Sequence, residues 1–153
     1  MIPVPPPSSP ESLGALLGLV RSELVSALEA ELAERGMDLS FTQFLILKRL
    51  SALGTTSATE LARAVDLDGG AMTRQLDQLE HKGFLRRRPH EQDRRALRIE
   101  MTEAGNALLS GLLSCHDRVL DAAQYSLSAD ERAQLLDLLR RVLHALRNKE
   151  TTA

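Results

Sequence analysis

Residues 56–105 read TSATELARAVDLDGGAMTRQLDQLEHKGFLRRRPHEQDRRALRIEMTEAG, and the order of patterns within them decides the fold. Ser57 and Glu60 form a capping box, so a short helix is expected over 57–65, with Leu61, Ala62 and Val65 turned inward. Asp66-Leu67-Asp68 is a turn. A second helix follows from Gly69 to Lys82, its buried side carried by Met72, Leu76 and Leu79, and Gly83 closes it. From Phe84 the period changes to two: Phe84, Arg86 and Arg88 alternate with Leu85 and Arg87, and later Leu97, Ile99 and Met101 alternate with Arg98 and Glu100. Two strands joined by Pro89 to Ala96 make a β-hairpin with a long polar tip. A short helix, a tight turn and a second helix with a polar outer face make a helix-turn-helix candidate, since a major groove admits one α-helix with its side chains. Many helical cores contain a two-helix hairpin; the Arg-rich hairpin that follows at once makes this one more specific.

Upstream, Ser40 and Gln43 repeat the capping-box pattern for a helix over 41–53, with Phe41, Phe44, Leu45, Leu47 and Leu50 apolar and Gly54 as its stop. A first helix is expected over 11–35, with Ser9 as N-cap and Pro10 at the first helical position. Leu13, Leu16, Leu17, Val20, Leu24, Leu28 and Leu32 give it one continuous apolar stripe, and Gly36 ends it. Residues 1–10 hold five prolines and read as a disordered or extended leader. Downstream, Thr102 caps a fifth helix over 103–123 (Leu108, Leu109, Leu112, Leu113, Val119, Leu120). Ser128 and Glu131 start a sixth, reaching about residue 148, with Leu135, Leu138, Leu139, Val142 and Leu146. The expected fold is mainly α with a small β-hairpin wing, and a single domain over 11–148.

Composition limits the function. The chain has 153 residues, 43% of them hydrophobic and 26% charged, which suits one globular domain. Its four aromatic residues, Phe41, Phe44, Phe84 and Tyr125, are too few for a base-stacking platform. The net charge of −2 argues against a nucleic-acid partner until it is divided: residues 72–98 carry +4 and the remainder −6. Seven of the eight basic residues in that segment (Arg74, Lys82, Arg86, Arg87, Arg88, Arg94, Arg95, Arg98) are arginine, the side chain suited to phosphate and base edges. The one cysteine, Cys115, excludes an intrachain disulfide and any multi-Cys metal site. His81, His90, His116 and His144 have no metal-binding spacing, and no nucleophile-elbow, P-loop or dinucleotide motif is present, so neither an enzyme nor a cofactor is expected. No apolar run reaches membrane-spanning length, and Met1–Val20 makes a poor secretory signal, which points to the cytoplasm.

The 56–105 run resembles the DNA-binding core of the MarR (multiple antibiotic resistance regulator) winged-helix transcription factors. The ELA of the third helix, the MTRQLDQLEHKGFL of the fourth, the DRR of the hairpin and Met101-Thr102-Glu103-Ala104-Gly105 carry the likeness, together with the order of six helices around a hairpin. The resemblance implies a DNA-binding lobe over 40–101 and dimerisation helices over 11–35 and 103–148. It places Thr73, Arg74 and Gln78 on the major groove with Gln75 beside them, and helical geometry agrees that 73, 74, 77 and 78 lie off the buried stripe. It further implies that Arg95 enters the minor groove, where narrow grooves concentrate negative potential. Arg94 and His90 would contact phosphate, Arg88 would also belong to the DNA-binding set, and Asp93 would hold the wing by pairing with an arginine. Gly69-Gly70 departs from the family pattern, which often has Ser or Thr there. Leu13, Leu16, Leu17, Val20, Leu139, Val142 and Leu146 are the expected dimer contacts.

The function so implied is a homodimeric, sequence-specific regulator on a roughly palindromic duplex operator, a repressor in most relatives, relieved in many by a small aromatic or phenolic anion. Two rivals stand beside it. One is a helical protein-interaction adaptor that keeps the winged-helix scaffold without binding DNA. The other is a thiol redox sensor working through Cys115, although a mid-helix cysteine is more often a small buried hydrophobe.

Overall fold

Local capping chemistry sets most of the helix boundaries in the computed structural model, which describes residues 12–92 and 97–149. Helix α1 (Leu13–Glu34) starts at Ser12, whose side chain accepts from the Ala15 N–H. The cap is Ser12 where the expectation had Ser9; Ser9 and Pro10 lie outside the described residues. The sequence offers two serines three positions apart with equal capping chemistry, and the pattern alone does not rank them. At its far end Gly36 has φ +73°. The N–H groups of Met37 and Gly36 reach the carbonyls of Leu32 and Ala33, a Schellman closure.

Helix α2 (Phe41–Leu53) carries the Ser40/Gln43 capping box as expected, and α3 (Ala58–Val65) carries the Ser57/Glu60 box. Helix α3 ends at Asp66 in the left-handed region (φ 57°), a conformation that Asp tolerates better than most side chains. Asp68 then caps α4 (Gly69–His81), accepting from the Ala71 N–H at 2.8 Å. Gly83 closes α4 in a second Schellman turn through Phe84 N–H to Leu79 C=O.

The wing differs from a two-stranded hairpin. Strands β2 (Leu85–Pro89) and β3 (Leu97–Met101) pair antiparallel, and a two-residue strand β1 (Thr56–Ser57) adds to the other side of β3, giving the order β1-β3-β2. Periodicity does not reveal β1, because two residues carry no period. Pro89, expected in the tip, is the last residue of β2 opposite Leu97, a position open to proline because β2 is an edge strand. Ile99, fully buried, faces Thr56 on one side and Arg87 on the other.

The chain falls into two compact units that meet at Val119/Leu120, within α5 (Glu103–Ala123). The first holds the core: Leu28 and Leu32 of α1, Phe44, Ile46, Leu47 and Leu50 of α2, Leu61, the Met72/Leu76/Leu79 stripe of α4, Leu85, Ile99, and Leu112 and Cys115 of α5. Thr102 ties the wing base into this unit. It donates to the Gly83 carbonyl (2.5 Å), accepts from the Gly105 N–H (3.1 Å), and gives its own N–H to the Phe84 carbonyl. Gly105 is required by the same approach, since a Cβ there would lie 2.2 Å from Phe84 O. In the second unit Ser128 and Glu131 form the expected reciprocal cap of α6 (Ala129–Lys149), and Arg132 grips the Gln124 carbonyl through Nε and Nη2 at 3.1 and 2.8 Å.

Candidate nucleic-acid interface

Helix α4 presents one buried and one open side. Met72, Leu76 and Leu79 are at most 1% exposed, while Thr73, Arg74, Asp77 and Gln78 are exposed on the remaining surface. The expected reading face therefore lies in solvent. Thr73 is not free of local bonding, because its hydroxyl donates to the Gly69 carbonyl at 2.9 Å. Gln75 is different: it is only half-buried, and its Oε1 is enclosed without a partner among the described residues. It flanks the face instead of sharing it.

Two devices fix α4 relative to its neighbours. On the wing side, Arg87 places Nη2 2.5 Å from Asp77 and 3.1 Å from Glu80, and its backbone N–H donates to Glu80 Oε2 at 2.9 Å. Hydrogen bonds from the Arg87 side chain, then from its backbone, hold the Glu80 carboxyl below the ordinary glutamate value. On the α2 side, the buried Gln43 donates Nε2 to Gln78 Oε1 at 2.8 Å, while its own Oε1 accepts from Ser40 N–H and Lys82 Nζ. Lys82 also donates to the Asp38 carbonyl.

The distribution of positive charge is narrower than residues 72–98 suggested. Arg86 and Arg88 both reach Glu100, Arg88 at 2.8 Å, and Lys82 lies 3.6 Å from the Asp38 carboxylate. With Arg87 held by Asp77 and Glu80, Arg74 and Arg98 are the basic residues of that segment without an ion pair among the described residues. Glu100 and Asp38 lie outside the counted segment, which is why its +4 overstated the open charge. Strand register nevertheless sets Arg88 directly opposite Arg98, a like-charged cross-strand pair on the exposed face. A cleft of about 430 Å³ beside them is lined by Arg88, His90, Glu91, Arg98, Glu100 and Thr55, among others. Asp93, Arg94 and Arg95 lie outside the described residues.

Sequence reasoning did not single out Gln43, Glu100 or Arg98 as site residues. Gln43 is legible there only as a capping residue; no local signal couples it to Gln78, 35 positions away. Glu100 was legible only as an acidic residue of an Arg-rich hairpin; the structure half-buries it between Arg86 and Arg88.

The expected dimer residues divide by exposure. On α1, Leu13, Leu16, Leu17 and Val20 are 41–54% exposed, with Leu19 beside them. On α6, Leu146 is 61% exposed, and Leu139 and Val142 are half-buried. Cys115 is fully buried, with Arg118 Nη2 3.5 Å from its sulfur, in keeping with its reading as a small hydrophobe. Beside it, the His116 ring stacks at a tilt on Phe44 at 5.1 Å. Burial, and next the Lys48 charge, push that imidazole below its ordinary value. Among the described residues no helix is long and apolar enough to cross a membrane.

Comparison with known proteins follows the same lines. The MarR family model matches residues 39–97. Multiple antibiotic resistance protein MarR of Salmonella typhimurium is 32% identical over 135 residues, covering 86% of this chain and 90% of the relative. HTH-type transcriptional regulator SarZ of Staphylococcus haemolyticus is 31% identical over 69% of this chain and 71% of its own length. Among solved structures, a cysteine-to-serine mutant of MarR from E. coli complexed with operator DNA superposes with a TM-score of 0.77 at 30% identity, covering 86% of this chain and 93% of that one.

Proposed function

The chain belongs to the MarR family and is a transcriptional regulator, and on that premise we propose that it binds a pseudo-palindromic duplex operator as a homodimer and represses the adjoining promoter. The observation that carries this reading is the open side of α4. Thr73, Arg74 and Gln78 stand in solvent above a fully buried Met72/Leu76/Leu79 stripe, so the helix is anchored by one face and free to enter a major groove with the other. The Arg88–Arg98 pair supports a polyanionic partner. Glu100 is shared by Arg86 and Arg88, and Arg98 beside them has no ion pair among the described residues, so this face keeps a surplus of positive charge that gains when phosphate lies against it. In this reading Arg95 enters the minor groove, Arg94 and His90 contact phosphate, and Asp93 holds the wing.

Exposed leucines support dimerisation. Leu13, Leu16, Leu17 and Val20 on one helix and Leu139, Val142 and Leu146 on another form apolar surfaces of the kind that mark interaction sites. A two-fold dimer then sets its recognition helices on half-sites about 34 Å apart. The reading includes relief by a small aromatic or phenolic anion, on the family resemblance alone, and places the protein in the cytoplasm with its operator.

The test is binding to duplex genomic fragments across a salt series. Selection of a common inverted repeat, with affinity falling steeply as salt rises, is the expected result. An absence of duplex binding at low salt would refute it and favour a protein-interaction adaptor.

A further inference from the structure

We infer that Gln43, buried on α2, is a specificity-determining positioning residue: it fixes the amide polarity of Gln78, so that Gln78 meets DNA as a hydrogen-bond donor. This rests on the proposed placement of α4 in the major groove.

The argument is one of obligate donors. Gln43 Oε1 accepts from the Ser40 backbone N–H at 3.3 Å and from Lys82 Nζ at 3.2 Å. Neither an amide N–H nor an ammonium can accept, so the oxygen of the Gln43 amide must face them. Lys82 is itself held by the Asp38 carbonyl. The Gln43 Nε2 is thereby turned the other way, toward α4, where it lies 2.8 Å from Gln78 Oε1. Because Nε2 only donates, Gln78 must answer with its oxygen. At 4% exposure Gln43 has almost no access to water as a substitute partner. The Gln78 Nε2, without a partner among the described residues, is left on the exposed side of α4.

A free glutamine amide can read adenine bidentately, giving one hydrogen bond and taking another. Here the oxygen is engaged from within, which leaves donation alone: guanine N7/O6, thymine O4 and adenine N7 can accept it, whereas the cytosine edge, which offers only a donor, cannot. The polarity originates behind the reading face, in the α2 capping box.

The test uses the full-length protein and selection from duplexes randomised at the half-site. Gln43→Glu retains the capping box, because Glu serves at that position as Gln does, and it keeps an acceptor toward Lys82. A carboxylate cannot donate to Gln78, so the Gln78 amide turns over, gives its N–H₂ to the carboxylate introduced at position 43 and presents Oε1 outward. One position per half-site is expected to move from guanine or thymine toward cytosine, by about tenfold in relative affinity, with adenine tolerated by either polarity. Gln78→Glu reaches the same outward polarity directly and should move the same position in the same direction. A purely structural role for Gln43 would lower affinity for all sequences alike. An unchanged ranking in Gln43→Glu, with duplex binding intact, overturns the inference and leaves the DNA-binding reading standing; loss of all duplex binding by the unmutated protein overturns both. Should Gln43→Glu not fold, hydrogen exchange of the Gln43 side-chain amide in the unmutated protein decides: strong protection is expected, and exchange at the rate of a free amide overturns the inference.

Discussion

Replacing Arg87 and Arg98 separately with Met distinguishes a structural arginine from one available to phosphate. Both belong to the basic segment, and by sequence they are equivalent. In the structure Arg87 is already compensated, with Nη2 2.5 Å from Asp77 and 3.1 Å from Glu80, whereas Arg98 has no ion pair among the described residues. Removing one arginine–phosphate interaction reduces the slope of log affinity against log salt by about 0.9, so Arg98→Met in a two-fold dimer flattens it by about 1.8. Between about 50 and 200 mM salt, the unmutated dimer then loses about tenfold more affinity than the Arg98→Met dimer. Arg87→Met should leave the slope unchanged. Its cost appears in stability instead: two partly exposed ion pairs contribute about 1 kcal/mol together after screening, a fall of about 2–4 °C in melting temperature. Fluorescence anisotropy over the salt series, with thermal unfolding of each variant, measures both quantities. If Arg87→Met flattened the salt slope as much as Arg98→Met, the division between compensated and open arginines would be wrong.

Gly105→Ala should destabilise by about 3 kcal/mol or more in urea unfolding, because its Cβ would meet Phe84 O at 2.2 Å and Met101 Cγ at 2.8 Å, and the first of these is backbone; a loss under about 1 kcal/mol would show that α5 can shift away from the wing. His116 is held below its ordinary value by burial and by Lys48, so its neutral form is favoured in the folded state. The unfolded chain then binds the proton first, near pH 6.5, and stability present above that pH falls as the solution is acidified toward the lower folded value. His116→Asn should flatten the decline in melting temperature between about pH 7.5 and 5.5, and an equal decline in both proteins would assign it to other groups. Leu17→Glu and Leu146→Glu each place a charge on an exposed apolar surface, and sedimentation should show the proposed dimer replaced by monomers at the same concentration. Dimers from both variants would exclude these helices from the interface.

Local chemistry was enough to place α2, α3, α4 and the start of α6. A capping box couples residues three apart and a glycine closure spans one turn, so the relevant interactions lie within the pattern being read. The Met72/Leu76/Leu79 stripe likewise identified the buried side of α4, and with it the exposed residues. Other features depended on partners distant in sequence. The stripe of α1 runs unbroken from Leu13 to Leu32, yet only Leu28 and Leu32 are buried, because burial depends on what packs against a helix and not on its own periodicity. Strand β1 exists only because β3 offers it an edge. Which arginines remain available was settled by strand register, which brought Glu100 to Arg86 and Arg88, and by helix placement, which brought Asp77 and Glu80 to Arg87. Sequence thus determined the kind of module and where its charges are encoded. Tertiary structure decided which of them are compensated, since an ion pair requires a proximity that sequence separation does not reveal.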